Sequence, residues 1–352
     1  MKLLVILIVI AAEQWRVAGW RRGFENLYVR YLRYLEIVLA GSGAWAATII
    51  ALLPLLLVVL IDQLVKPVWW LWLIWSVLAL YLVMGFRHFS HYLTDIRDAL
   101  GEGDLPKARQ ALHDWQGAES NALSSDAIAL RAIEGGATAM YRCVFGVMFW
   151  FYILGAPGAI AYWMLTAISR EWSDVRAGDD ISIVGAARAE LGRAARWLLF
   201  IVDWVPVRLL AFTFAIVGNF EDAIYQWRVL PDNFGLFDNT NNENVLLATG
   251  MGALGLSWTP RVPAAPQKAP EDEEEEIALQ TMEGEGGLDP DDEPEVEANA
   301  EPSHEVHDEL GDPPPTVQVT PTALPSAIGL AWRSLLFWLL SIFGATFIMW
   351  AS

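Results

Sequence analysis

The feature that most constrains the fold is a run of 22 residues, AWAATIIALLPLLLVVLIDQLV, which occupies positions 44–65 and contains a single charged group. A helix of this length extends about 33 Å, enough to cross a hydrocarbon core of roughly 30 Å. The chain is also 55% hydrophobic and contains 18 Trp, which is unusually apolar for a soluble domain. The run therefore predicts a membrane-spanning helix.

Other apolar stretches extend this prediction. Residues 68–86 are Trp-rich, and the turn at Lys66-Pro67 makes them a helical hairpin with the first span. Residues 1–12 predict a short retained membrane segment, because the sequence that follows is a poor signal-peptide cleavage site. Residues 13–43 combine arginines with aromatics, which predicts an amphipathic helix at the membrane surface. Residues 335–350 predict a final span.

Residues 144–166 are apolar but are interrupted by Leu-Gly-Ala-Pro-Gly at 154–158. This predicts either one kinked span or a re-entrant pair of half-helices, because broken helices at membrane depth must be buried in protein or line a cavity. Arginines on both flanks of the segment favour the re-entrant alternative by the positive-inside rule.

Residues 197–218 form another apolar segment, but Asp203, Pro206 and Arg208 lie inside it. A charged residue at the centre of a membrane helix costs about 2.5–3.5 kcal/mol. Asp203 and Arg208 either line a polar cavity and contact a ligand, or they pair with each other or with carbonyls freed by Pro206. Glu134, just before the broken segment, is either a cavity carboxylate or a surface charge.

His88, His91 and Asp95 share one face of a predicted helix in the polar segment 87–142. Their spacing is compatible with a weak metal site or a pH sensor, and also with a solvated face. The sequence contains no credible nucleotide-binding glycine loop or hydrolase motif, so no cofactor is predicted.

The net charge of −19 is concentrated in one place. Between Glu271 and Asp312 lie 19 of the 42 acids, which leaves 23 acids against 23 bases elsewhere. Residues 260–325 are rich in Pro, Glu and Asp and predict a disordered acidic linker. Such a segment argues against nucleic-acid binding, and it would be solvated or would recruit a partner.

Together these features predict an all-α, polytopic helical membrane protein with a broken or re-entrant helix and a disordered acidic segment. The predicted parts are an N-terminal membrane region and hairpin (1–86), a polar helical domain (87–142), a membrane core containing Asp-Trp-Val-Pro-Val-Arg-Leu (143–259), the linker (260–325) and a C-terminal helix (326–352).

Three blocks of sequence carry a family resemblance over roughly residues 1–255. They are Asp203–Leu209, with its W-[IV]-P-x-R-L core; the stretch from Ala132-Ile133-Glu134 to Gly155–Ala159; and Gly103-Asp104-Leu105 followed by Ala108-Arg109. In this order they resemble the AmpE proteins and, more distantly, the CobD/CbiB adenosylcobinamide-phosphate synthases.

Departures from the synthase pattern favour the AmpE branch. Where the synthases show A-E-N-x-x-D, this chain reads Ala-Thr-Ala-Met-Tyr-Arg at 137–142, and an N-T-L-D stretch is replaced by Thr-Ala-Ile-Ser at 166–169. A paired Asp before the W-[IV]-P-x-R-L core is replaced by Leu199-Phe200. ATP-dependent amide ligation would need such carboxylates to hold magnesium.

The resemblance to AmpE implies a multi-pass inner-membrane signalling modulator without enzymatic activity, associated with β-lactamase induction and cell-wall recycling. Its expected partners are the lipid bilayer and a cell-wall fragment or another membrane protein. One alternative is a cobinamide-phosphate synthase that ligates an amide with ATP and magnesium. Another is a membrane scaffold that recruits partners through its acidic segment.

Overall fold

The computed structural model describes residues 1–15, 20–39, 43–117, 123–173, 183–230, 239–259 and 319–351. Every secondary-structure element of several residues in these ranges is a helix, which confirms the all-α class. The helices are α1 (Lys2–Trp15), α2 (Trp20–Val38), α3 (Ala44–Ala51), α4 (Pro54–Val65), α5 (Trp69–Val83), α6 (Phe86–Gly101), α7 (Leu105–Gln116), α8 (Ser125–Met140), a π-helical turn (Tyr141–Phe145), α9 (Gly146–Leu154), α10 (Ala156–Ser173), α11 (Ile183–Val217), α12 (Phe220–Arg228), α13 (Asn239–Ala253) and α14 (Ala323–Ala351).

Four helical stretches in the described residues are long and apolar enough to cross a membrane: Ala44–Val65, Ser125–Leu154, Leu191–Val217 and Ala323–Ile348. The first comprises α3 and α4. Pro54 opens α4 and cannot donate a backbone hydrogen bond, so the chain tightens into a turn at Leu52 and Leu53 between them. These stretches confirm that the chain is a polytopic helical membrane protein.

The broken segment is a helical hairpin in which the chain reverses at Gly155. Gly155 has a φ of 76°, a conformation that residues with a side chain rarely adopt. The contacts between α9 and α10 show that the two helices are antiparallel. An added Cβ at Gly158 would lie 2.5 Å from the carbonyl oxygen of Trp150, and one at Gly146 would lie 2.4 Å from the hydroxyl of Tyr162. Glycine thus allows the two helices to pack closely.

The carbonyl end of α9 is capped by a lysine from α1. Lys2 Nζ donates to the carbonyl oxygens of Tyr152 at 2.7 Å and Ile153 at 3.2 Å. The last carbonyls of a helix lack partners within the helix and carry its negative dipole end, so a cation is favourable there. The N-terminal helix therefore stabilises the point at which the hairpin turns.

The predicted surface helix corresponds to α2, which is tied to α10 by two ion pairs. Arg33 Nε lies 2.7 Å from Glu171 Oε1, and Arg170 Nη2 lies 2.6 Å from Glu25 Oε1. Tyr28 also donates to the carbonyl of Ala51 at 3.1 Å, which anchors α2 to α3. The charged face of α2 is thus engaged with neighbouring helices.

The polar domain is formed by α6, α7 and the first half of α8, which bury Ile96, Leu112 and Ile128 between them. The Gly-Asp-Leu block of the family resemblance is its turn. Gly103 has a φ of 75°, and the Asp104 side chain accepts from the Lys107 N–H at 3.0 Å as the N-cap of α7.

Two predicted boundaries differ from the structure. The division between 142 and 143 falls inside the continuous helical stretch Ser125–Leu154, because apolar residues of α8 pack on the polar domain and the same helix continues into the membrane core. The C-terminal helix begins at Ala323 and not at 326. The predicted disordered linker lies almost entirely outside the described residues, from 260 to 318.

Candidate functional site

Pro206 lies inside α11, which continues through it to Val217. Proline lacks a backbone N–H, so the helix loses one hydrogen bond at this turn. Two nearby carbonyls receive side-chain donors: Asn242 Nδ2 donates to the carbonyl of Phe200 at 2.9 Å, and Arg208 Nη1 donates to that of Trp204 at 3.0 Å. The proline-containing turn is therefore linked to α13 and to its own arginine.

Asp203 and Arg208 point to different partners, with no hydrogen bond or ion pair recorded between them in the described structure. Residues five apart on a helix are rotated by about 140° from each other. Asp203 is only 1% exposed and accepts a hydrogen bond from the hydroxyl of Tyr141 at 2.5 Å. The interpretation of an Asp203–Arg208 pair is thus wrong.

Tyr141 is the first residue of the π-helical turn between α8 and α9. Such turns are rare and often occur at functional sites, because the inserted residue redirects the side chains that follow it. Tyr162, on α10, interacts electrostatically with both Tyr141 and Asp203. Its hydroxyl is buried and has no partner with good hydrogen-bond geometry in the described residues. Two phenols and one carboxylate therefore converge in the core.

Arg142, the next residue of the π-helical turn, forms an ion pair with Glu243 on α13. The two side chains are 31% and 34% exposed, so the pair lies at the edge of the buried group. Asn242 accepts from Arg208 Nη1 at 3.1 Å, and the Arg208 guanidinium lies 4.2 Å from the centre of the Trp204 ring. The neighbouring Asn244 has a buried amide nitrogen for which the described residues supply no acceptor.

We name this group the polar cluster. It brings together two cations, two carboxylates, two phenols and an amide from the π-helical turn, α10, α11 and α13: Tyr141, Arg142, Tyr162, Asp203, Arg208, Asn242 and Glu243. The guanidinium groups can hold carboxylates or phosphates. The buried carboxylate with its phenol can accept or relay a proton.

Several members of the polar cluster are not among the sequence-predicted candidates. Asn242, Glu243 and Asn244 belong to a polar run at the start of α13, directly before apolar Val245 and Leu246. Four consecutive polar residues from 241 to 244 at the beginning of an apolar helix were the available signal. Tyr141 and Arg142 had no comparable signal, because their position depends on the π-helical turn.

Glu134 lies outside the polar cluster. It is two turns before Tyr141 on α8, roughly 10 Å along the helix axis. Its Oε1 accepts from Trp258 Nε1 at 2.8 Å, which joins α8 to the segment after α13. The geometry gives this carboxylate a structural contact beside the polar domain.

The structure describes the side chains of two of the three weak metal candidates, His91 and Asp95. His91 Nδ1 lies 3.3 Å from Asp95 Oδ2, and the two side chains are 75% and 45% exposed. The side chain of His88 is outside the described residues. No group of three His, Cys, Asp or Glu that could hold a metal occurs in the part of the chain that the structure describes.

The magnesium and ATP implied by the synthase resemblance do not fit the polar cluster as it stands. Magnesium is held by carboxylate oxygens and water. The two carboxylates here, Asp203 and Glu243, are engaged by Tyr141 and Arg142. Both carboxylates of the polar cluster are therefore occupied by partners within the protein.

Comparisons with known proteins agree on one family. The sequence model of the family described as CobD/Cbib protein matches residues 16–258. The chain is 29% identical over 177 residues to a cobalamin biosynthesis protein CobD from Stutzerimonas stutzeri, covering 50% of this chain and 54% of that protein. It is 28% identical over 178 residues to the protein of the same description from Chromobacterium violaceum, covering 51% and 53%. No solved structure matches.

The chain thus spans about half the length of the curated relatives that it matches. These matches support the CobD/CbiB alternative and give no support to the AmpE branch that the departures favoured. The family match extends across the π-helical turn, α10, α11 and α13, and so includes every residue of the polar cluster. The chain belongs to the CobD/CbiB family.

Proposed function

We propose that this protein acts in cobalamin biosynthesis as a cobinamide-phosphate synthase-like enzyme, joining a corrinoid carboxylate to an amino alcohol through an amide bond. The observation that carries the proposal is the family match from 16 to 258, which contains the whole polar cluster. The two relatives described as cobalamin biosynthesis proteins add to it.

The Arg142–Glu243 pair supplies complementary charges for the two reactants. A substrate carboxylate would displace Glu243 from Arg142, and the released Glu243 would hold the ammonium group of the amino alcohol. This exchange replaces one ion pair by two, so binding does not leave a charge in the site uncompensated. Arg208 lies about 1.4 turns of α11 beyond Asp203 and would hold a second anionic group.

Asp203 would accept, through the Tyr141 hydroxyl, the proton that the amine loses as its nitrogen bonds to the carboxyl carbon, and one carboxyl oxygen would leave with the group that activates the carboxylate. The carboxylate is buried and already accepts from the Tyr141 hydroxyl, which gives a path for that proton. ATP with magnesium would activate the carboxylate in such a reaction. The residues described here do not provide its site.

The test uses the full chain in phospholipid vesicles, incubated with a corrinoid acid, an amino alcohol, ATP and magnesium. We expect mass spectrometry to find a product heavier than the corrinoid acid by the amino alcohol minus one water. The Stutzerimonas stutzeri relative provides a parallel reaction. Product from that relative and none from this chain would refute the proposal.

Arg142 favours a second candidate function. It stands where the synthase pattern described above has an Asp, so the charge at this position is reversed and is neutralised within the protein by Glu243. This supports a ligand-binding modulator of the AmpE type without ligase activity. Deleting the gene should then alter β-lactamase induction and cell-wall fragment levels, and unchanged levels would refute this candidate.

A further inference from the structure

A cavity lined mainly by apolar side chains lies beside the polar cluster. Its volume is about 230 Å³, and it is enclosed by α6, α8, α11, α13 and α14. The buried side chains of Met140, Phe214 and Met251 form its inner wall. The hydroxyl groups in its lining are those of Ser90 and Thr94, and Thr94 donates to the carbonyl of Ser90 at 2.9 Å. Such a lining favours an apolar guest.

Trp332 on α14 is the most exposed residue of the lining, and we therefore assign the mouth of the cavity to its surroundings. Leu93 on α6 and Ile328 on α14 are partly exposed, whereas the inner wall is buried. Trp332 is 41% exposed. A dry apolar cavity of about 150 Å³ takes up benzene, so this one has room for a larger hydrocarbon group.

The mouth of the cavity lies on a helix with an apolar outer face. α14 contains a candidate span, and its side chains Leu336, Leu340 and Phe343 are 63%, 69% and 55% exposed. In a bilayer this face would contact acyl chains. The exposed cavity residue Trp332 therefore lies one helical turn before a face that would contact acyl chains.

The helix that carries Trp332 also carries a positively charged side chain. Arg333 follows Trp332 in sequence and is exposed, with its Nη1 donating to the carbonyl of Val217 at 3.1 Å and its Nε to that of Gly329 at 3.3 Å. A guanidinium has five N–H donors, so others remain for an anion. Trp and Arg side chains are both favoured at the membrane interface, where lipid phosphates lie.

We propose that this cavity binds one acyl chain of a membrane phospholipid, with the lipid phosphate against Arg333. The apolar lining of the cavity would hold the acyl chain, which would enter from the lipid-facing side of α14. The guanidinium of Arg333 would hold the phosphate. The proposal concerns a site separate from the polar cluster and does not depend on the proposed ligase function.

The test places the full chain in vesicles of phosphatidylethanolamine and phosphatidylglycerol containing a trace of phospholipid with a diazirine on one acyl chain. After irradiation, mass spectrometry should locate the label on cavity residues such as Met140, Leu247 and Ala327. Labels confined to the outer face of α14 would overturn the proposal. A free fatty acid with the same diazirine is a second arm, and cavity labelling by the fatty acid alone would overturn the assignment to a phospholipid.

A matched pair of variants sharpens the result. Ala331→Leu fills the cavity, whereas Ala345→Leu makes the same change at an exposed position of the same helix. Cavity labelling should fall by about tenfold in the first variant, as expected when overpacking excludes a guest, and should stay unchanged in the second. Equal labelling of both variants would contradict the proposal. The wild-type label map decides the question if Ala331→Leu does not fold.

Discussion

The polar domain and the polar cluster both contain charged residues, but these residues pair differently in the two regions. In the polar domain, Arg97 pairs with its neighbour Asp98 at 2.7 Å, and Lys107 pairs with Glu102 at 3.1 Å, all on exposed surfaces. In the polar cluster, Tyr141 and Asp203 are 62 positions apart, and the carboxylate is buried. Local exposed pairs contribute about 0–1 kcal/mol, whereas buried long-range contacts depend on the whole fold.

The comparison shows that a shared sequence block need not mark chemistry. The Gly-Asp-Leu block of the polar domain is a turn and a helix cap, and Arg109 of the same block donates to the carbonyl of Leu123 at 2.8 Å. The block around Pro206 instead supplies Asp203 and Arg208 to the polar cluster. Both blocks lie inside the family match, yet only the second supplies residues to the polar cluster.

The largest expected effect is the loss of amide formation in Asp203→Asn. This change keeps the size of the side chain but removes the proton acceptor, so the rate should fall by about 100-fold or more. Asp98→Asn makes the same change in the polar domain and should leave the rate unchanged. Product measured by mass spectrometry over time distinguishes the two variants, and equal rates would remove the distinction between the two regions.

A smaller effect is expected on the stability of the protein when the Arg142–Glu243 ion pair is broken. Arg142→Gln and Glu243→Gln should each lower the free energy of unfolding by roughly 1–2 kcal/mol, reduced from the value for a fully buried pair because both side chains are partly exposed. The double variant should lose less than the sum of the two. Thermal unfolding in detergent measures this coupling.

The same double-variant cycle on Lys107 and Glu102 is the control. This pair is more exposed, with side chains 55% and 64% accessible, so its coupling should be close to zero. Comparable coupling in the two pairs would contradict the view that the polar cluster is the more tightly organised region.

Arg208→Leu should weaken corrinoid binding by about tenfold, because a guanidinium bound to an anion contributes roughly 1.5–3 kcal/mol, part of which solvent screens. Arg196→Leu removes an arginine from the same helix outside the polar cluster and should change binding less than twofold. Equal dissociation constants for the two variants would show that Arg208 has no special role.

The smallest expected effect is that of Asp104→Ala. Loss of the N-cap of α7 should lower the free energy of unfolding by about 1 kcal/mol, with no change in the rate of amide formation once the protein is folded. Thermal unfolding and the amide assay on the same preparation check both statements. A rate loss without a stability loss would give the polar domain a direct role in the reaction.

The lengths of the apolar runs and the positions of helix-breaking residues were sufficient to predict much of the fold. The span at 44–65, the turn at Lys66-Pro67 and the interruption at Gly155 all follow from local chemistry. The choice between a kink and a reversal at Gly155 did not, because it depends on which helices pack against α9 and α10. The capping of α9 by Lys2 joins residues 150 positions apart and has no local signature.

Only two of the seven residues of the polar cluster were predicted from the sequence. Asp203 and Arg208 are conspicuous because a charge inside an apolar run demands a partner. The identities of those partners depend on the π-helical turn, which rotates Tyr141 and Arg142, and on the packing of α13 against α11. Glu134 was an equally conspicuous acid, but its partner is the Trp258 indole and it lies apart from the cluster.

The central claim is that the polar cluster binds the reactants of a corrinoid reaction, and equilibrium binding of a corrinoid acid to the vesicle-embedded protein tests it most directly. Absorbance titration should show saturable binding to the wild type and to Asp104→Ala. The affinity should be at least about tenfold weaker in Arg142→Gln. Binding that is absent from the wild type, or equal in all three proteins, would contradict the claim.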